Sequence, residues 1–174
     1  YIIKDKFELD DVRALNANTK KWTLTDYLMS HVKLGNKEYK LLEWFVKTYD
    51  MPILWSVAML NGKGFFDSRI TRAFKNGEFK ISDLEWGKTQ ARRLKWIGEF
   101  FQYYKKKNFI AAMLAVFRDK TFKWEIFKRR LENNSAKLKN QGSRNDFIVN
   151  IERIYNTGTA EKNKIRLELY DYKR

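Results

Sequence analysis

A single proline, Pro52, stands in this chain of 174 residues, and along most of the rest apolar side chains recur every three or four positions. Proline breaks the hydrogen-bond ladder of a helix, so its near-absence leaves long stretches in which helices can run. A spacing of three to four is the period of one helix face, whereas a half-buried strand alternates. Eight glycines suit helices better than the many turns of a sandwich or barrel. The expected fold is therefore mostly α: a multi-helix bundle with short extended segments at the N- and C-termini.

Local signals divide the chain further. Leu9, Val12 and Leu15 sit at helical spacing before the polar stretch from Asn16 to Lys21. Thr23 with Asp26 reads as a capped helix start, with Trp22 placed as a hydrophobic staple. That helix runs to Gly35, and Asn36 opens the next, which carries Tyr39, Leu42, Phe45 and Val46. Pro52 fits the first turn of a short apolar helix through Leu54, Val57, Ala58 and Leu60. Asn61-Gly62-Lys63-Gly64 breaks it, and a second short helix is predicted from Phe66 to Lys75, ending at Asn76-Gly77. Phe79 and Ile81 read as a brief extended piece. Ser82 with Glu85 predicts the start of a long helix ending near Lys105. Helices follow at about 108–118, 121–133 and 143–155, the last opened by Ser143 with Asp146. Tyr1-Ile2-Ile3 and the alternating Ile165-Arg166-Leu167-Glu168-Leu169 are the two extended ends.

Charge is the second constraint. Lys plus Arg number 36 and Asp plus Glu 21, a net +15. Residues 51–140 hold 20 basic and 8 acidic groups, so the middle carries +12 of that total. Phosphate backbones reward such clustering because each neutralised phosphate releases counterions. Apolar residues at 44% and aromatics at 16% are enough to bury a core, which argues against wholesale disorder. There are no cysteines, so disulfides and thiolate metal sites are excluded. No apolar run approaches the roughly 20 residues that span a bilayer, and no signal peptide is recognisable. The chain begins at Tyr1, not methionine, and is expected to be a piece of a longer protein.

Residues 52–76 combine two short helices with a Gly-containing turn, the outline of a helix-turn-helix. Phe66, Ile70 and Phe74 fall on one face of its second helix. Ser68, Arg69, Thr71, Arg72 and Lys75 lie off that stripe, and are the candidates for groove contact, since arginine makes paired bonds to guanine. The alternative for this face is a merely solvated basic surface. Arg92 and Arg93 on the long helix, with Lys128, Arg129 and Arg130 on a later one, are the candidates for phosphate contact. Lys105-Lys106-Lys107 is read equally as a lysine cap complementing a helix C-terminus or as a phosphate contact. Tyr103, Tyr104 and Trp124 interleave with these charges, a pattern that also suits base stacking, but at helical spacing they read as core. Signs of catalysis are poor. His31 is the only histidine and reads as structural, Asp10-Asp11 point apart on a helix, and no metalloprotease, P-loop or dinucleotide motif occurs. No catalytic residue, metal ligand or cofactor-binding residue is assigned.

Asn16 to Thr23, Gly35 to Tyr39, Met51 to Ile53, Phe74 to Lys80 and Ile154 to Asn156 stand in an order that resembles the C-terminal part of ParB-like proteins of bacterial phages and mobile elements, often labelled ParB-like nucleases. Asn16-Ala17-Asn18-Thr19-Lys20-Lys21-Trp22-Thr23, followed by Asp26-Tyr27-Leu28, resembles the family's Asn…Asn…Lys…Trp-Ser/Thr segment. Gly35-Asn36-Lys37-Glu38-Tyr39, Met51-Pro52-Ile53, Phe74-Lys75-Asn76-Gly77-Glu78-Phe79-Lys80 and Ile154-Tyr155-Asn156 resemble the pieces that follow. Tyr1-Ile2-Ile3 resembles the end of the ParB/sulfiredoxin-type domain. The Gly-x-x-Arg-type signature of that domain is not in this sequence, so no nucleotide-binding or nuclease residue is carried over.

The resemblance implies three regions: a connection from an upstream domain over 1–50, a helix-turn-helix-like DNA-binding region over 51–105 and a C-terminal helical region over 106–174. The expected function is binding of double-stranded DNA by a cytoplasmic protein of a bacterial cell, encoded by the cell or by a phage, with residues 108–155 available for homodimer formation and no membrane partner. No cofactor is expected in this chain; nucleotide binding, and any nuclease or nucleotide hydrolase activity, would belong to the upstream domain. Two alternatives stand beside it: the substrate-gripping part of a nuclease or DNA-modifying enzyme, and a phage module that blocks a host protein.

Overall fold

The structure, a computed structural model, describes residues 21–62, 65 and 67–167. Within them the chain is mostly helical, without β-strands. Eight α-helices follow in order: α1 (Leu24–Lys33), α2 (Lys37–Tyr49), α3 (Ile53–Leu60), α4 (Ser68–Asn76), α5 (Leu84–Ile97), α6 (Lys107–Val116), α7 (Trp124–Asn134) and α8 (Arg144–Tyr155). Single turns of 3-10 helix lie at Ser135–Lys137 and Glu161–Asn163.

The helices start where short polar side chains satisfy their first amides. The Thr23 hydroxyl accepts from the Asp26 amide at 3.2 Å, and the Asp26 carboxylate accepts from the Thr23 amide at 2.8 Å. Trp22 packs on Tyr27, ring centroids 5.2 Å apart, and closes the expected staple. Asn36 caps α2 through the Glu38 amide, and Ser143 caps α8 through the Asp146 amide.

α1 and α2 pack as a pair, α3 lies on α2 and α5, and α4 lies on α1. The other half pairs α6 with α8 and α7 with α8, and α5 joins the two halves through contacts with α2, α3 and α6. The buried side chains form one cluster from Leu28 to Leu167. Tyr39, Phe45, Phe74, Phe109, Phe127 and Phe147 are its largest fully buried members. Each such side chain stabilises the fold by about 1.5–3 kcal/mol relative to exposure. Gly87 permits the tight α3–α5 crossing, since a Cβ there would stand 3.1 Å from a Leu60 methyl.

Three expectations need correction. The long helix ends at Ile97, not near Lys105. The apolar period runs on through Phe100 and Phe101, but past Gly98 the chain turns sharply and drives Phe101 into the core against Phe109, centroids 4.9 Å apart. Lys106 and Lys107 therefore open α6; the lysine run does not close a helix. The cap of α5 is Asp83, accepting from the Trp86 amide at 2.8 Å, while Glu85 pairs with Lys88 at 2.7 Å. At the C-terminal end, residues 164–167 carry the expected alternation, with Leu167 buried and Arg166 exposed, but no strand. Side chains act as the partner: Asn156 exchanges two hydrogen bonds with the Ile165 backbone, and Glu152 accepts from the Leu167 amide at 2.7 Å. The extended start at Tyr1–Ile3, the helix through Leu9, Val12 and Leu15, the polar stretch from Asn16 to Lys20 and Glu168-Leu169 lie outside the described residues.

Candidate nucleic-acid interface

α4 is amphipathic to an unusual degree for nine residues. Phe74 is buried and Ile70 half-buried, as the expected stripe requires, while Phe66 lies outside the described residues. At 3.6 residues per turn, Ser68, Arg69, Arg72, Lys75 and Asn76 fall on one arc, and all five are exposed. No carboxylate lies within the helix. Thr71 is set apart from this arc. Its hydroxyl donates to the Asp67 carbonyl at 2.9 Å and so serves the helix's own first turn.

The helix starts later than its sequence pattern suggests because Asp67 is its cap. The Asp67 carboxylate accepts from the Ile70 amide at 2.9 Å and from Arg69 at 3.1 and 3.2 Å. The Ile70 amide, then Arg69, hold the Asp67 carboxyl below the usual carboxylate range. With the Arg69 side chain 88% exposed, that ion pair is weak. Lys75 rests over the Tyr27 ring, its ammonium 5.4 Å from the centroid.

The other end of α4 is bound by three side chains from α1, α2 and the turn between them. His31 Nε2 bonds the Lys75 carbonyl at 2.9 Å, the Tyr39 hydroxyl donates to the Phe74 carbonyl at 2.6 Å, and Asn36 Nδ2 donates to the Gly77 carbonyl at 3.3 Å. These satisfy carbonyls that a helix end leaves open. Gly77 has φ +83°, and a Cβ there would stand 2.8 Å from the His31 ring, so only glycine fits this end cap. Burial raises the Tyr39 phenol above its ordinary range. None of these bracing residues is signalled locally; each lies more than thirty residues from its partner.

The two helices of the expected helix-turn-helix have different main neighbours. α3 packs on α2 and α5, whereas α4 packs on α1. In the turn between them Gly62 adopts φ +69°, and residues 63, 64 and 66 lie outside the described residues.

The phosphate candidates divide into two groups. Arg92 and Arg129 are exposed. Arg93 is half-buried between two rings, 5.3 Å from the Phe117 centroid and 5.1 Å from that of Trp124, and it donates to Gln90 at 3.1 Å. Burial lowers its pKa, and the charge of Glu125 opposes that shift. Arg130 lies over Gly158, with its guanidinium 3.4 Å from the Thr159 hydroxyl. Lys128 sits over Trp96 at 5.4 Å. Consecutive helical residues point about 100° apart, so the basic run of α7 serves three directions. In the lysine run, Lys105 pairs with the Asp50 carboxylate, Lys106 lies 4.5 Å over the Tyr103 ring, and Lys107 is exposed. Tyr104 and Trp124 pack against the core as expected, but Tyr103 is exposed.

Among the described residues no group of three or more His, Asp or Glu side chains is placed to hold a metal ion. No described helix is long and apolar enough to cross a membrane. Compared with known proteins, the chain matches no protein-family model, no curated protein and no solved structure.

Proposed function

We propose that this chain binds double-stranded DNA through the exposed arc of α4, as the DNA-gripping part of a ParB-like protein. The observation that carries the reading is the coincidence on that arc of Ser68, Arg69, Arg72, Lys75 and Asn76 without an intervening carboxylate. A helix fits the major groove, and arginine there bonds guanine through two acceptors. The brace favours the same reading, because a helix held at its C-terminal end by three side chains loses less freedom when it docks. Arg92 and Arg129 are the best placed of the remaining cations to add phosphate contacts; Arg93 and Arg130 act as packing groups. In this reading α1 and α2 replace the preceding helix as the brace of the inserted one.

The test is duplex affinity as a function of salt. The logarithm of affinity falls linearly with the logarithm of salt, with a slope of about −0.9 for each phosphate neutralised. Combining Arg69→Ala with Arg72→Ala should weaken binding, and Arg92→Ala with Arg129→Ala should flatten that slope. Undetectable duplex binding at low salt removes the proposal, and unchanged binding by the Arg69 and Arg72 double variant removes α4 as the contacting element.

A further inference from the structure

The turn that ends α5 opens a second feature, remote in sequence from α4. A cleft of about 580 Å3 lies between residues 98–103 and residues 135–140. Its floor is apolar: Phe101 and Leu138 are each 5% exposed. Phe100 and Tyr103 line it while remaining 36% and 37% exposed, although the interior had room for many other aromatic side chains. Amide side chains stand at its edge, those of Gln102 and Asn140, beside Ser135. The opposite wall is fixed from behind. Buried Asn150 accepts from the Lys139 amide and donates to the Lys137 carbonyl, both at 3.0 Å.

Charge selects among the ligands an aromatic cleft could take. Lys139 lines it, and the Lys106 ammonium sits 4.5 Å from the centroid of Tyr103. One carboxylate, Glu99, is present. Quaternary or methylated ammonium groups need an electron-rich cage without competing cations, and here Lys106 already lies over the Tyr103 ring while Lys139 adds a second cation. A ligand with a flat π-face, hydrogen-bonding edges and an adjacent negative charge matches the rings, the amides and the two lysines, which outnumber the Glu99 carboxylate. An unpaired nucleotide has all three, and stacking of bases on exposed aromatic rings beside cations is how single strands are held.

We propose that the cleft formed by Phe100, Tyr103, Gln102, Lys139 and Asn140, with Lys106 at its rim, receives an unpaired nucleotide, its base against Tyr103 and its phosphate toward the lysines. This rests on the nucleic-acid reading above and deepens it: the favoured target has an unpaired stretch beside duplex, with α4 on the paired part. A helix in a groove recognises duplex, and this cleft cannot accept a base still stacked within one.

The experiment compares the full chain on two labelled DNAs by fluorescence anisotropy: a blunt duplex, and the same duplex with a short unpaired gap. The parent protein should prefer the gapped DNA. Tyr103→Ala should weaken gapped binding by roughly five- to a hundredfold, the range of one lost base–aromatic stack, and leave blunt-duplex binding unchanged. Tyr103→Trp should restore the preference, and Lys139→Glu should abolish it. A melting curve checks that each variant is folded, and Tyr103 is exposed enough for truncation to be tolerated. Equal binding of the two DNAs by the parent overturns the inference, as does an equal loss on both DNAs with Tyr103→Ala. Those outcomes leave the duplex proposal standing. Loss of all duplex binding, with the gapped DNA still held through Tyr103, would instead remove the α4 proposal alone.

Discussion

Tyr39→Phe deletes one oxygen atom, and the account gives that atom two tasks. The hydroxyl donates to the Phe74 carbonyl at 2.6 Å and accepts from the Phe79 amide at 3.4 Å, at a residue with no solvent exposure. A made hydrogen bond contributes about 0.5–1.5 kcal/mol net, and leaving a buried partner unsatisfied costs about 1–3 kcal/mol. The variant should therefore lose about 2 kcal/mol, lowering the melting temperature by about 4–8 °C for a chain of this size. Alkali gives an independent reading of the same atom. Burial is the chief cause that raises the Tyr39 pKa, with the charge of Glu78 adding and the Phe79 amide opposing. The folded state then holds its proton to higher pH than the unfolded chain does. Stability from this source is complete below the ordinary phenol value, about 10, and is lost as pH rises through the folded pKa. The parent should lose this stability above about pH 10, and Tyr39→Phe should lack that portion of the loss. Urea denaturation at neutral and alkaline pH measures both. A loss smaller than about 0.5 kcal/mol at neutral pH would refute the claim that Tyr39 fastens α4.

Three further outcomes are expected. Gly77→Ala combines a left-handed backbone, costing roughly 1–2 kcal/mol, with a Cβ 2.8 Å from the His31 ring, so it should destabilise by about 2 kcal/mol in urea titration and loosen α4 in hydrogen exchange. Lys107→Glu places an anion in the first turn of α6, which holds no acidic residue, and should stabilise the chain by about 0.3–1 kcal/mol in low-salt thermal melts. Arg93→Ala should cost about 1–2 kcal/mol through its lost stacking on Phe117 and Trp124 while leaving the salt dependence of DNA binding as it was; Arg92→Ala should do the reverse, changing stability by less than about 0.5 kcal/mol.

Features written in consecutive residues were legible in the sequence. Thr23 with Asp26, Asn36, and Ser143 with Asp146 open helices as their spacing implies, and the face of α4 divides as its periodicity implies. Competition between neighbouring signals was harder to resolve. Ser82 and Asp83 can both cap, and geometry selects Asp83. The apolar period of α5 continues past Gly98, but burying Phe101 against Phe109 and Phe147 outweighs continued helix. The fate of each cation was not legible, since identical guanidinium groups at Arg92 and Arg93 end in solvent and between two rings respectively. Nor was the brace of α4, because His31, Asn36 and Tyr39 meet it only once α1 and α2 have folded against it.

The most direct test of the central claim is the salt dependence of duplex affinity for the parent and for Arg69→Ala combined with Arg72→Ala. Both side chains are exposed, so the double variant should melt with the parent. The account predicts weaker binding at every salt concentration with the slope little changed, because these two side chains read bases while Arg92 and Arg129 meet the phosphates. An identical affinity in a fully folded double variant would contradict it.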